Sequence, residues 1–271
     1  MMLRLLFNCF LLAGLFIACT PGAPSPEEVT VTDPAPAAEP VEKAAKIQDP
    51  EAVALLNRAY AAHGGKHFNK ARYAFTFRGK RYNFIAEGAY RIYSRSYSNG
   101  NLAVYEGLQQ GKYTKTIDGV PVELTAKEIA AGSESLNSVI YFATLPFKLR
   151  DPAVNLYPAG TTRIKNQTYD VLRVDFEKEG GGVDHDDNFV YWINQETDRI
   201  DYLAYDFKTN KGGVRFRSAY NQRVVEGVLF QDYVNYKAPL GTALTDLPAM
   251  FEKRKLEELS RIETERVEQL N

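Results

Sequence analysis

Residues 179–187 read Glu-Gly-Gly-Gly-Val-Asp-His-Asp-Asp, so Asp184, His185, Asp186 and Asp187 stand in unbroken succession behind three glycines. Closely spaced carboxylates on a pliant loop are hard oxygen donors, the ligand type that Ca²⁺ takes. An imidazole between acids can also act as a general base, because neighbouring carboxylates favour its protonated form. The spacing is not that of an EF-hand, since the closing glutamate is missing. The plain alternative is a solvated hairpin loop. We therefore expect no required cofactor, with Ca²⁺ as the one ion this loop suits. A hydrolase or lyase built on Asp184–Asp187 is the catalytic alternative.

His63 and His67 are four apart, a spacing that joins two imidazoles only on a continuous helix. Gly64 and Gly65 separate them and favour a helix stop. His63 is then expected in the last helical turn, where the helix dipole favours a positive charge. No Ser-centred elbow, phosphate loop or dinucleotide fingerprint occurs. The remaining candidate is aromatic. Phe75, Phe77, Phe84, Tyr90, Leu172, Val174, Phe176, Tyr191 and Phe216 fall on strand-like stripes. They can line a cavity for a hydrophobic ligand or fill an ordinary core. The abundance of tyrosine, 17 residues against 15 Phe, favours an amphipathic pocket.

The elements that must position these groups follow from periodicity. Residues 51–63 place Val53, Leu56 and Tyr60 on one helical stripe. From Tyr73 the period becomes two, with Phe75 and Phe77 in phase. Tyr82, Phe84, Ala86, Gly88, Tyr90 and Ile92 share one phase, which predicts a long curved strand bent at Gly88. Asn99-Gly100 and Asp118-Gly119 are hairpin turns. Thr125 to Glu128 is a capping box that opens a short helix. Residues 135–147 form a second helical segment ending near Pro146. Strand runs resume at 169–176, 188–193, 200–207, 214–220 and 228–236. Their short connections require antiparallel neighbours. A Schiff-base aldolase barrel needs strands alternating with helices, and that alternation is absent. Residues 247–270 read as a surface helix or amphipathic tail. The expected class is α+β: a curved antiparallel half-barrel packed on a few helices.

The N-terminus carries an address. Residues 5–18 are apolar except for Asn8, and Arg4 is the only charge before them. That run is short for a membrane span and fits a signal peptide. Phe16-Ile17-Ala18-Cys19 resembles a bacterial lipobox, which implies cleavage before Cys19 and a lipid on its sulfur. Residues 20–50 hold seven of the chain's 13 prolines, the composition of an extended spacer. The expected organisation is a signal peptide over 1–18, a tether over 19–50 and one folded domain over 51–271. Cleavage removes Cys9, so Cys19 is the last thiol and disulfide or Cys-metal chemistry drops out. With 33 basic and 34 acidic residues, no cationic excess exists to displace counterions, which excludes a charge-driven nucleic-acid binder.

The lipobox, the helix ending Ala62-His63-Gly64-Gly65, the antiparallel strands and the segment from Phe189 to Phe207 resemble a family of uncharacterised Bacteroidetes lipoproteins. That family is in turn similar to the LolA/LolB-type periplasmic lipoprotein carriers. The resemblance implies a curved sheet around helices, an apolar cavity for acyl chains and a site in the cell envelope, at the outer membrane. The expected function is non-catalytic binding of a lipid or acyl chain, with the membrane as partner through Cys19. A scaffold that binds another envelope protein is the third alternative.

Overall fold

The computed structural model describes residues 48–179 and 186–271. The expected signal, Cys19 and the tether as far as residue 47, and Asp184 and His185, lie outside these residues; the end of the expected tether, 48–50, belongs to the fold, with Asp49 and Pro50 opening the first helix. Lys46–Asn271 is one compact unit. Helix α1 (Pro50–Ala62) starts where Asp49 accepts hydrogen bonds from the amides of Glu51 (2.8 Å) and Ala52 (3.3 Å). A capping carboxylate satisfies donors that have no partner in the first turn. Pro50 suits the first helical position because its missing N–H costs nothing there. The helix buries Ala52, Leu55, Leu56, Ala59 and Tyr60.

A meander follows: β1 (Lys70–Phe77), β2 (Lys80–Glu87), β3 (Tyr90–Asn99), β4 (Leu102–Gln109), β5 (Lys112–Ile117) and β6 (Val120–Pro121). Helix α2 (Ala126–Ala143) crosses to a second meander. Its strands are β7 (Val154–Ile164), β8 (Gln167–Phe176), β9 (Asn188–Asn194), β10 (Ile200–Phe207), β11 (Gly213–Val225) and β12 (Val228–Ala238). A short helix α3 (Leu247–Glu252) precedes β13 (Glu257–Ile262) and β14 (Glu265–Gln269). The first sheet has the order β14-β1-β2-β3-β4-β5-β6 and the second β13-β12-β11-β10-β9-β8-β7. The architecture is α+β with two large, open antiparallel sheets. No helix among the described residues is long and apolar enough to cross a membrane.

Asp232, almost fully buried, pins the passage between the sheets. Its Oδ1 accepts from the Thr264 amide (2.9 Å) and hydroxyl (3.1 Å) and pairs with Arg223 (3.2 Å). Thr264 sits between β13 on the second sheet and β14 on the first. The last residues are therefore paired strands, not the helix or tail expected over 247–270; only 247–252 are helical. Each strand covers a sheet edge through backbone bonds, so it needs few apolar side chains; Leu259 is exposed.

Two other expectations change. Gly88, at φ +57°, closes a hairpin between β2 and β3. The pairing Phe84↔Tyr93 and Glu87↔Tyr90 reverses the phase at that turn. Tyr90 thus points away from Phe84 and is 40% exposed. The capping box of Thr125 and Glu128 is present, but it opens a single 18-residue helix that runs through the second expected segment as far as Ala143, short of the expected end at 147.

The second sheet is covered on both faces. One face packs Leu156, Leu172, Val174, Tyr191 and Leu203 against α1 and the end of α2. The other packs Tyr169, Trp192, Tyr202 and Phe216 under Leu244, Leu247 and Phe251. The first sheet buries Phe75 and Phe84 against Leu136, Ile140 and Phe147.

Candidate functional site

Helix α2 fully buries Leu136, Ile140 and Tyr141, while on one flank Val139, Phe142 and Ala143 pack only partly against the two cores. Between that flank and the inner face of β11–β13 lies a half-open cleft of about 470 Å³. Phe77, Val139, Phe142, Ala143 and Ile262 supply its apolar wall. Arg217, Gln231, Tyr233, Asn235, Ser260 and Thr264 supply its polar floor. The exposed side chains of Ala131, Glu134, Ser135 and Ser138 edge its open side. The volume is in the range of small-molecule sites.

Arg217 is the unusual group. Antiparallel register sets it opposite Asn235 on the next strand, with Asn235 opposite Ser260 beyond. Its side chain is 7% exposed. The guanidinium stacks 3.7 Å over the Phe142 ring, and Nη2 donates to the Tyr205 hydroxyl (2.9 Å). Nε and Nη1 are buried with no hydrogen-bond acceptor, and Asn235 Oδ1 is buried with no donor. Asn235 donates through Nδ2 to Ser260 (3.3 Å). A second buried arginine faces α2 from the first sheet and behaves differently. Arg95 is ion-paired with Glu106 and donates to Ser135 (2.8 Å).

Beneath the cleft, Gln231 donates to the Ile200 carbonyl (2.9 Å) and the Tyr233 hydroxyl (2.6 Å). Burial pushes the Tyr233 hydroxyl up to about 12. The hydroxyls of Tyr141 and Tyr191 lie 2.6 Å apart in the core behind it. Burial raises both well above the ordinary phenol range, so both stay neutral.

Of the nine residues expected to line a cavity, Phe77 borders the cleft. Phe75 and Phe84 are packed inside the first sheet's core, and Leu172, Val174 and Tyr191 inside the second's. Phe176 is half-buried at the edge of that second core. Phe216 lies on the opposite face of the second sheet, and Tyr90 points to solvent, its hydroxyl accepting from Gln109 (2.6 Å). The cleft is therefore smaller and more polar than the aromatic stripe implied. Arg217, Asn235 and Phe142 were not legible as site residues. Arg215 and Arg217 alternate with Val214 and Phe216, which reads as a solvated face; α2 covers that face instead.

His63 serves the fold. It is fully buried, and its Nε2 accepts the Ile200 amide (3.0 Å). Burial, then the charge of Arg199, lowers its pKa to about 3, against a smaller opposing pull from the Leu145 backbone. It is a neutral cap, not the dipole-stabilised cation expected. Gly64 is at φ +135°, and a side chain there would meet Gly227 and Val228 at 3.1 Å. The His67 ring occupies the space a side chain at 227 would need, while His63 Nε2 is taken by the Ile200 amide. In the acidic loop, Asp186 pairs with Lys208 (3.6 Å) and Asp187 is buried. No cluster of three metal-ligating side chains occurs among the described residues.

Among solved structures, a LolA superfamily protein from Nitrosomonas europaea is similar at 10% identity and TM-score 0.47, covering 81% of this chain and 94% of that one. A DUF1329 family protein from Desulfovibrio piger is similar at 8% identity and TM-score 0.46, covering 80% and 92%. No curated protein matches the chain. The model of a family of unknown function, DUF6503, matches residues 56–264, and the chain belongs to that family.

Proposed function

We propose that this is a lipid-anchored protein of the bacterial cell envelope that binds a hydrophobic ligand, a lipid or acyl chain, without catalysis. The observation that carries the reading is the cleft of about 470 Å³ between α2 and the inner face of the second sheet. Its apolar wall would take up chain surface, and removing that surface from water is the driving force. Its polar floor and open side would hold a head group. The anchor rests on the residues themselves: an apolar run ending at Cys19, then a proline-rich spacer. A spacer of that composition leaves the folded unit free to meet its ligand at a distance from the bilayer.

The test is calorimetric titration of the full chain with 1-decanol, with Val139→Trp as the comparison. Indole at 139 fills the cleft from the exposed flank of α2. Saturable binding that the variant abolishes supports the reading. Equal heats for both proteins, or none, overturn it.

A further inference from the structure

Arg217 is a buried cation, and among the described residues no carboxylate forms an ion pair with it. Burying an ion costs several kcal/mol unless a counter-charge and hydrogen bonds offset it. Arg95 meets that requirement with Glu106. Arg217 has the Tyr205 hydroxyl and the Phe142 ring, both neutral, and two N–H-bearing nitrogens without acceptors. Glu134 and Arg78 also border the cleft, but Glu134 stands on its exposed edge. Across the strand pair, Asn235 presents an amide oxygen that also lacks a partner. The unsatisfied guanidinium thus sits on the floor of a cleft with an apolar wall, and the Asn235 oxygen beside it, an acceptor, can bond only a donor such as a hydroxyl.

We infer that the cleft takes an anionic amphiphile, its acid group on Arg217 and its chain along Phe77, Val139, Phe142 and Ile262. The inference rests on the ligand-binding reading above and adds the chemistry of the head group. A carboxylate or phosphate supplies the missing charge and accepts from the guanidinium, the strongest kind of hydrogen bond available there. A neutral or cationic head leaves Arg217 unbalanced or repels it.

The experiment titrates the full chain with decanoate, 1-decanol and decyltrimethylammonium, which share one chain and differ in head group. Decanoate should bind about tenfold or more tightly than 1-decanol, the effect of a charge-assisted hydrogen bond, and the ammonium most weakly. Arg217→Met, which keeps the side-chain bulk on Phe142, should lower decanoate affinity to that of 1-decanol and so erase the preference for acid. Arg217→Lys should restore part of it. Decanoate and 1-decanol binding equally to the unmodified chain would overturn the inference and leave the cleft as a neutral chain site. No binding by any probe would overturn both readings. Decyl phosphate, run alongside, shows which acid group fits better.

Discussion

The guanidinium carbon of Arg217 lies 3.7 Å above the ring of Phe142, which joins the floor of the second sheet to helix α2. A cation held over an aromatic face away from water gains about 2 kcal/mol. That gain falls short of the cost of a buried charge without a counter-ion. In the absence of ligand, Arg217→Met should therefore raise unfolding free energy, by about 1–3 kcal/mol. Urea denaturation measures it. A large loss of stability would mean that a partner inside the fold already balances the charge.

His63 predicts acid sensitivity. The unfolded chain protonates this imidazole near its ordinary value of 6.5, whereas the folded chain resists until about 3. Its contribution is complete above 6.5 and is lost as the pH falls from there toward 3. Linkage gives a loss of about 2 kcal/mol between pH 7.5 and pH 5, above most carboxylate titration. Replacement by Gln, which keeps an acceptor for the Ile200 amide, should flatten that slope in denaturation curves taken at the two pH values. An unchanged slope would show that other groups cause it.

Gly132 makes room for Tyr113. A methyl group at 132 would stand 2.2 Å from the Tyr113 ring. Alanine favours a helix interior over glycine by about 1 kcal/mol, yet overpacking costs about 1–3 kcal/mol. Gly132→Ala should therefore destabilise the protein, and Tyr113→Leu in the same chain should reverse the loss. Thermal melts of the single and double variants test this.

Asp232 should be among the most sensitive buried polar positions. Asp232→Ala strips Arg223 of its partner and leaves the buried Thr264 amide unsatisfied. The expected loss is about 3–5 kcal/mol. Hydrogen exchange should show β13 and β14 opening first. Uniform loosening of all strands would argue against a local pin.

Local chemistry made much of this fold legible. The capping box at Thr125, the turns at Gly100 and Gly119, and the strand over 200–207 follow from side-chain type and period alone. The phase reversal at Gly88 was hidden because a glycine serves equally in a bent strand and in a turn. β7 was hidden because Pro158 and Gly160 break its pattern at a bulge, where register slips between Pro158 and Thr161. The cleft was hidden for a different reason. Both faces of the second sheet are covered, so alternation marks which side a residue faces but not which side is buried. Phe216 followed the greasy phase to the wrong face, and Arg217 followed the polar phase to the cleft.

A hydrophobic ligand held in the cleft beside α2 should travel with the protein through purification. Native mass spectrometry of the full chain and of Val139→Trp, each purified from the producing cells, tests it most directly. The expected result is one acyl-chain molecule per protein, released on denaturation and so distinct from any lipid attached to Cys19, and absent from the variant. Identical masses for the two proteins, apart from the substitution, would contradict it.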